Sequence, residues 1–199
     1  MKTIGKPLEN EIIIDRSKFI CHMTRINSIE EGIAFVNSIR KLHPNANHHC
    51  SAMIYHNNAR SNDDGEPSGT AGVPMLNVMK HNDLDETVAV VTRYFGGVKL
   101  GAGGLIRAYS TSVSETFNID DIVEVIEMTI VEVTVDYANA NTVSSKVSIP
   151  VQNTEYMSDV LLTFYVEPKL IDDFLTEITN LTNANFTYQL KENIMNIKK

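Results

Sequence analysis

Thr87-Val88-Ala89-Val90-Val91-Thr92-Arg93-Tyr94-Phe95, then Gly96-Gly97-Val98-Lys99-Leu100-Gly101-Ala102-Gly103-Gly104, then Leu105-Ile106-Arg107-Ala108-Tyr109 is the stretch on which the fold turns. Its first segment is an almost unbroken apolar run, as expected of a buried strand. The glycines that follow cannot form a strand or helix interior without loss. Leu105, Ile106, Ala108, Tyr109, Val113 and Phe117 then recur at helical spacing, so an amphipathic helix emerges directly from the glycines. Strand, glycine-rich loop and helix start together gather unpaired N–H groups and the positive end of a helix dipole at one spot, which suits a phosphate.

The charge of this stretch is unlike that of the whole chain. The 199 residues carry 17 Lys+Arg against 25 Asp+Glu, a net charge of −8, whereas residues 87–114 hold Arg93, Lys99 and Arg107 with no acidic side chain. An acidic total opposes broad attraction to nucleic acid or anionic lipid, so a polyanion site has to be a local patch. The loop is neither a P-loop nor a GxGxxG opening a first βαβ unit. Three readings therefore stand side by side. The glycines can be a tight strand-to-helix joint with the arginines solvated or salt-bridged. Arg93, Gly96, Gly97, Lys99, Gly101, Gly103, Gly104 and Arg107 can bind phosphate or RNA. The same surface can instead recognise a protein.

Eight of the ten glycines lie between Gly65 and Gly104, and the earlier part of that segment is Asn62-Asp63-Asp64-Gly65-Glu66-Pro67-Ser68-Gly69-Thr70-Ala71-Gly72-Val73-Pro74. It reads as an ordered loop ending at a helix, with Pro74 in the first turn and Met75, Leu76, Val78 and Met79 behind it. Asp63, Asp64 and Glu66 can hold Mg²⁺ while Ser68 or Thr70 meets a phosphate, which would make a Mg²⁺-dependent enzyme acting on a phosphorylated substrate. They can equally cap the N–H groups of their own loop, or pair with Arg60, Arg93 or Arg107 and lock the two blocks together.

His48-His49-Cys50, with His43 and His56 nearby, invites a metal or a Cys–His nucleophile. Strand alternation sends His48 and Cys50 to one face and His49 to the other, so the ligands do not converge. No GxSxG elbow and no HExxH is present, and no catalytic residue, metal or cofactor is assigned. Cys21 and Cys50 lie outside any CxxC and are expected to be reduced thiols. No apolar run approaches the roughly 20 residues of a membrane span, and Met1–Pro7 lacks the apolar stretch of a signal peptide. The expected compartment is the cytoplasm, with no membrane partner.

The fold class that follows is α+β in two domains, residues 1–127 and 128–199. In the first, Lys18–Ile26 reads as a strand, and Ser28-Ile29-Glu30-Glu31 as a capping box. The helix it opens is striped by Phe35, Val36, Ile39 and Leu42 and ends at His43-Pro44. In the second, strands at Thr129–Tyr137, Val151–Tyr156, Val160–Val166 and Asn185–Leu190 are interleaved with helices at Ala138–Val147 and after Pro168. That order is the βαββαβ pattern of a ferredoxin-like domain. Such a sheet binds RNA only if aromatics stand exposed on it, and Tyr137, Tyr156, Phe164, Tyr165, Phe186 and Tyr188 are the candidates.

Asp63–Gly72 and Arg93–Tyr109 closely resemble the signature of the IMPACT family, in its bacterial YigZ-like branch. Ala46-Asn47-His48-His49-Cys50-Ser51-Ala52 is similar to the family's Ala-x-His-x-Cys-x-Ala segment, with His49 where Asn is usual. Lys18-Phe19-Ile20 resembles its opening strand. The resemblance implies a first domain similar to the second domain of ribosomal protein S-five, and a second similar to the last domain of elongation factor G. Eukaryotic members regulate translation initiation by competing for a protein partner of a starvation-sensing kinase, and no catalytic activity is established for the family. The expectation for this chain is a translation-associated regulatory binding protein that engages RNA, the ribosome or a translation-related protein.

Overall fold

A computed structural model describes residues 1–197, so Lys198 and Lys199 of the expected second domain lie outside the described residues. The chain divides into two compact units, Met1–Glu124 and the remainder from Val125.

The first unit is built on a five-stranded antiparallel sheet in the order β2-β3-β6-β4-β5. Its strands are β2 (Leu8–Ile14), β3 (Ser17–Arg25), β4 (His48–Tyr55), β5 (Asn58–Asn62) and β6 (Thr87–Tyr94). A short β1 (Lys2–Ile4) pairs instead with the first residues of β7 (Ile122–Val135). The apolar run at Thr87 occupies the middle of the sheet as β6, covered on both faces. Helices α2 (Gly72–His81) and α3 (Gly101–Ser114) bury Met75, Met79, Leu105, Ala108 and Tyr109 against Phe19, Cys21, Cys50, Ala52 and Val91. On the opposite face α1 (Ile29–Leu42) seals Ile26, Met53, Val88 and Val90 with Ile29 and Ile39. The period-2 alternation of β4 and β6 thus feeds two separate cores.

Local signals explain the helix boundaries. Ser28 Oγ accepts from Glu31 N at 3.1 Å, while the Glu31 carboxylate reaches one residue further back, to Asn27 N, at 2.7 Å. Leu42, expected in the apolar stripe of α1, is the last residue of that helix and is 62% exposed, whereas Ile39 one turn earlier is buried. Three strands escaped the sequence reading. β2 and β5 are edge strands, one with every other residue half-buried and one fully exposed, so neither carries a strong hydrophobic signature. β1 has only three residues.

In the second unit, β7 is followed by α4 (Tyr137–Lys146), β8 (Asn153–Tyr156), β9 (Val160–Val166), α5 (Ile171–Thr182) and β10 (Thr187–Ile197). β10 and β9 flank β7, and β8 lies outside β9, all antiparallel. This is the ferredoxin-like arrangement expected from the element order. Val131, Val133, Leu162 and Phe164 form its core with Val143, Phe174 and Ile178 of the two helices. Of the six aromatic candidates for RNA stacking, Phe164 is fully buried. Tyr156 and Tyr188 pair with Val160 and Val133, which places them on the helix-bearing side. Tyr165, opposite Ile130, is the one aromatic of the six on the helix-free face, so the sheet lacks the aromatic platform an RNA-reading sheet requires.

Candidate nucleic-acid interface

The site grows from one cross-strand row. Phe19, Arg93 and His48 are register partners on β3, β6 and β4, on the face covered by α2 and α3. The loop after β5 lowers Glu66 onto this row, and α3 brings in Tyr109. Arg93 Nη1 donates to Glu66 Oε1 at 2.6 Å, and the Tyr109 hydroxyl donates to the same oxygen at 2.8 Å. Both members of the ion pair are buried, with side chains 6% and 4% exposed. The guanidinium lies over the rings of Phe19 and Phe95, at 5.3 and 5.5 Å from their centroids. Its Nη2 reaches Ser17 Oγ at 3.3 Å.

His48 completes the cluster. Its Nδ1 is 2.9 Å from the Asp64 carbonyl, which can only accept, so Nδ1 carries the proton and Nε2 faces Glu66 at 3.8 Å. The Cys50 thiol lies within reach of the Asp63 carbonyl at 3.0 Å and the Tyr109 hydroxyl at 3.3 Å. Burial pushes the Cys50 thiol up to about 12, with Glu66 and the two aspartates adding to the effect. Burial likewise raises the Tyr109 hydroxyl, reinforced by Cys50 and Glu66. Neither group is an activated nucleophile at neutral pH. Tyr109 was not singled out as a site residue from the sequence, and Cys50 was weighed there only as a metal ligand or nucleophile. The usable signal for Tyr109 was a phenol on an apolar helix stripe, since a buried Tyr hydroxyl usually finds a partner.

The three carboxylates of the first block are each engaged by the protein itself. Asp63 accepts from Gly69 N at 2.8 Å, Ala71 N at 3.0 Å and Gly72 N at 2.8 Å, which closes the start of α2. Burial works against the Asp63 carboxylate, but these three hydrogen bonds together hold it below its ordinary value. Asp64 pairs with Arg40 at 2.9 Å and accepts from His49 N at 2.7 Å. Thr70 Oγ1 donates to the Pro67 carbonyl at 2.6 Å, and Ser68 is exposed. Among the described residues no group of three or more His, Cys, Asp or Glu side chains is arranged to hold a metal ion.

The second block is arranged differently. Gly96 has no room for a side chain, because a Cβ there would strike the Arg16–Ser17 backbone in the β2–β3 turn. Gly96 N donates to Ser17 Oγ at 3.2 Å, and Phe95 N to Asn47 Oδ1 at 2.8 Å. The start of α3 itself carries no side-chain cap and no acidic residue in its first turn. Gly101, Gly103 and Gly104 belong to that turn and not to a preceding loop, and Gly101 takes φ +67°, which disfavours other residues. Arg107 Nη1 lies 3.7 Å from where a Cβ on Gly103 would sit, so its guanidinium folds back over the helix start. Lys99 and Arg107 are exposed. The ion pairs formed by basic side chains in this unit use Lys2, Lys6, Lys18, Arg25, Arg40 and Arg93 besides histidines, and neither Lys99 nor Arg107 is among them. A cavity of about 330 Å³ opens beside Lys99, bordered by Glu66, Arg93, Phe95, Leu100 and Leu105.

Of the residues expected to bind phosphate, the structure therefore brings Lys99, Arg107 and the first turn of α3 together in the open. Arg93 stands behind them with its charge matched by Glu66, and Gly97 is exposed in the intervening loop. Arg16, exposed in the turn that packs on Gly96, was missed, since nothing in the sequence ties that hairpin to the glycine loop.

The two sheets and their covering helices define a two-domain α+β protein. Residues 15–117 match the Impact N-terminal domain, and residues 133–185 match a domain of unknown function, DUF1949. The IMPACT family member YvyE of Bacillus subtilis is 45% identical, over 92% of this chain and 87% of that protein. An IMPACT family member of Haemophilus influenzae is 33% identical, over 90% of this chain and 91% of its own. YigZ of Escherichia coli is 43% identical over 51% of this chain and 52% of its own. A solved structure of a hypothetical protein superposes with a TM-score of 0.62 at 27% identity, over 96% of this chain and 97% of that one. The chain belongs to the IMPACT family, as its signature blocks implied. No helix among the described residues is long and apolar enough to cross a membrane.

Proposed function

We propose that the protein is a translation-associated binding protein that grips the phosphate chain of single-stranded RNA at the start of α3. The observation that carries this reading is an uncapped, acid-free helix start flanked by two exposed cations, Lys99 and Arg107, that form no ion pair among the described residues, in a chain of net charge −8. Backbone N–H groups and the helix dipole favour an anion there, and the acidic remainder of the surface confines polyanions to this patch. Arg93 supports the patch by holding Phe95 and the loop from beneath. The role of the family's eukaryotic members in translation initiation is the reason to look for the RNA in that machinery.

The test is fluorescence anisotropy with a short single-stranded RNA, comparing the wild type with Lys99→Ala/Arg107→Ala. The expected result is a loss of about tenfold or more, roughly 1.4 kcal/mol, with unchanged thermal melting. Equal affinity of the two proteins would remove the proposal.

A second reading, protein recognition without RNA, draws on the groove of about 490 Å³ between α2 and α3, where Val73, Pro74, Val78 and Ile106 line one wall or the other. Val73 and Ile106 are 45% and 42% exposed. Retention of a partner from nuclease-treated lysate, lost on Ile106→Asp and not on Lys99→Ala, favours this reading over the first.

A further inference from the structure

We propose that the cavity beside the start of α3 takes one unstacked base of the bound strand, so that the site reads a nucleotide and not phosphate alone. The inference rests on the phosphate-binding reading above and extends it to the ligand's other half. The cavity's volume of about 330 Å³ lies in the range of small-molecule sites, roughly 300–1,000 Å³. Its wall is mostly carbon, contributed by Pro67, Phe95, Leu100, Ala102 and Leu105, with the Glu66–Arg93 pair at its back and Lys99 supplying a cation at the opening. A bare phosphate gains nothing from the carbon wall, since an anion against carbon loses hydration without a partner. A flat ring with an apolar π face and a phosphate attached satisfies both parts.

Phe95 is the independent second observation. It is 47% exposed although large and apolar, yet both its backbone and its ring have partners. Its N–H is fixed by Asn47 at 2.8 Å, and its ring is backed by the Arg93 guanidinium at 5.5 Å. Arg93 in turn cannot move without breaking its 2.6 Å bond to Glu66. An exposed ring braced by a buried ion pair is pre-organised for stacking, and base–aromatic stacking tolerates any sequence because every base has a π face. The buried Glu66–Arg93–Tyr109 cluster thereby acquires a purpose: it stiffens the platform and touches no phosphate.

The experiment compares a short single-stranded RNA with an abasic ribose-phosphate chain of equal length and charge, binding to the full chain. RNA is expected to bind about 5- to 150-fold more tightly, the range for one base–aromatic stack. Phe95→Ala should bring RNA affinity down toward the abasic level while leaving abasic binding unchanged. Ala102→Leu, which adds bulk at the opening, should do the same, and it decides the matter if Phe95→Ala melts early. Equal binding of RNA and abasic chain by the wild type overturns the base slot and leaves the phosphate grip standing. Failure of both to bind overturns both.

Discussion

Helices α2 and α3 begin in glycine-rich segments of similar composition, lie side by side on one face of the sheet, and treat their N-termini in opposite ways. At α2, Asp63 supplies a carboxylate to three backbone N–H groups and the end is closed from within. Neither helix has an acid in its first turn, but at α3 no side chain from elsewhere caps the end, and Lys99 and Arg107 stand exposed beside it. Glycine content alone does not separate a structural loop from a binding loop. What separates them is whether the chain spends one of its own carboxylates on the site.

The contrast can be broken most forcefully at Glu66. Glu66→Ala leaves Arg93 buried without its partner and should cost about 3–5 kcal/mol, a fall of roughly 10 °C in melting temperature. Replacing both partners, with Glu66→Leu and Arg93→Met, should recover much of that loss, because the uncompensated charge goes with it. Next in size, Asp63→Ala should destabilise by about 1–2 kcal/mol through loss of the α2 cap, as read by calorimetry. The same cap makes stability depend on pH. A carboxylate held low stabilises the fold above its unfolded value and loses that contribution as pH falls through its folded value, so the Asp63 contribution is full above about pH 4 and fades below it.

The histidines act earlier on the acid scale. Burial lowers His22, opposed by Glu9 and aided by His43, and burial lowers His49 against its bonds to His43 and Asp64, with Arg40 adding to the fall. Their unfolded forms bind protons first, so melting temperature should decline as pH drops below about 6.5, and His22→Phe should flatten the slope. The smallest effect on stability belongs to the open helix start. Lys99→Ala and Arg107→Ala should each change it by less than about 0.5 kcal/mol while weakening RNA binding.

Much of the architecture was legible because its signals are local. The apolar run at Thr87, the Ser28 cap, the alternation of His48 and Cys50, and the βαββαβ order after Thr129 each follow from periodicity or turn chemistry. Edge strands β2 and β5 were not, since half-exposed backbones leave little hydrophobic pattern. At the site, sequence brought out every charged member of the glycine segment and offered, beside two other readings, that its carboxylates pair with Arg60, Arg93 or Arg107; Glu66 against Arg93 realises that reading. Tyr109 beneath Glu66 and Arg16 beside Gly96 are contacts across dozens of residues, set by packing and invisible to spacing. The acid-free stretch 87–114 still drew its most buried cation's partner from the other block.

The most direct measurement is the salt dependence of single-stranded RNA binding. With Lys99 and Arg107 each neutralising a phosphate, log K should fall against log salt with a slope of about −1.4, from roughly −0.7 per contact, and Lys99→Ala should make it shallower by about 0.7. A slope near zero, or one that Lys99→Ala leaves unchanged, would contradict the claim that the start of α3 holds a phosphate chain.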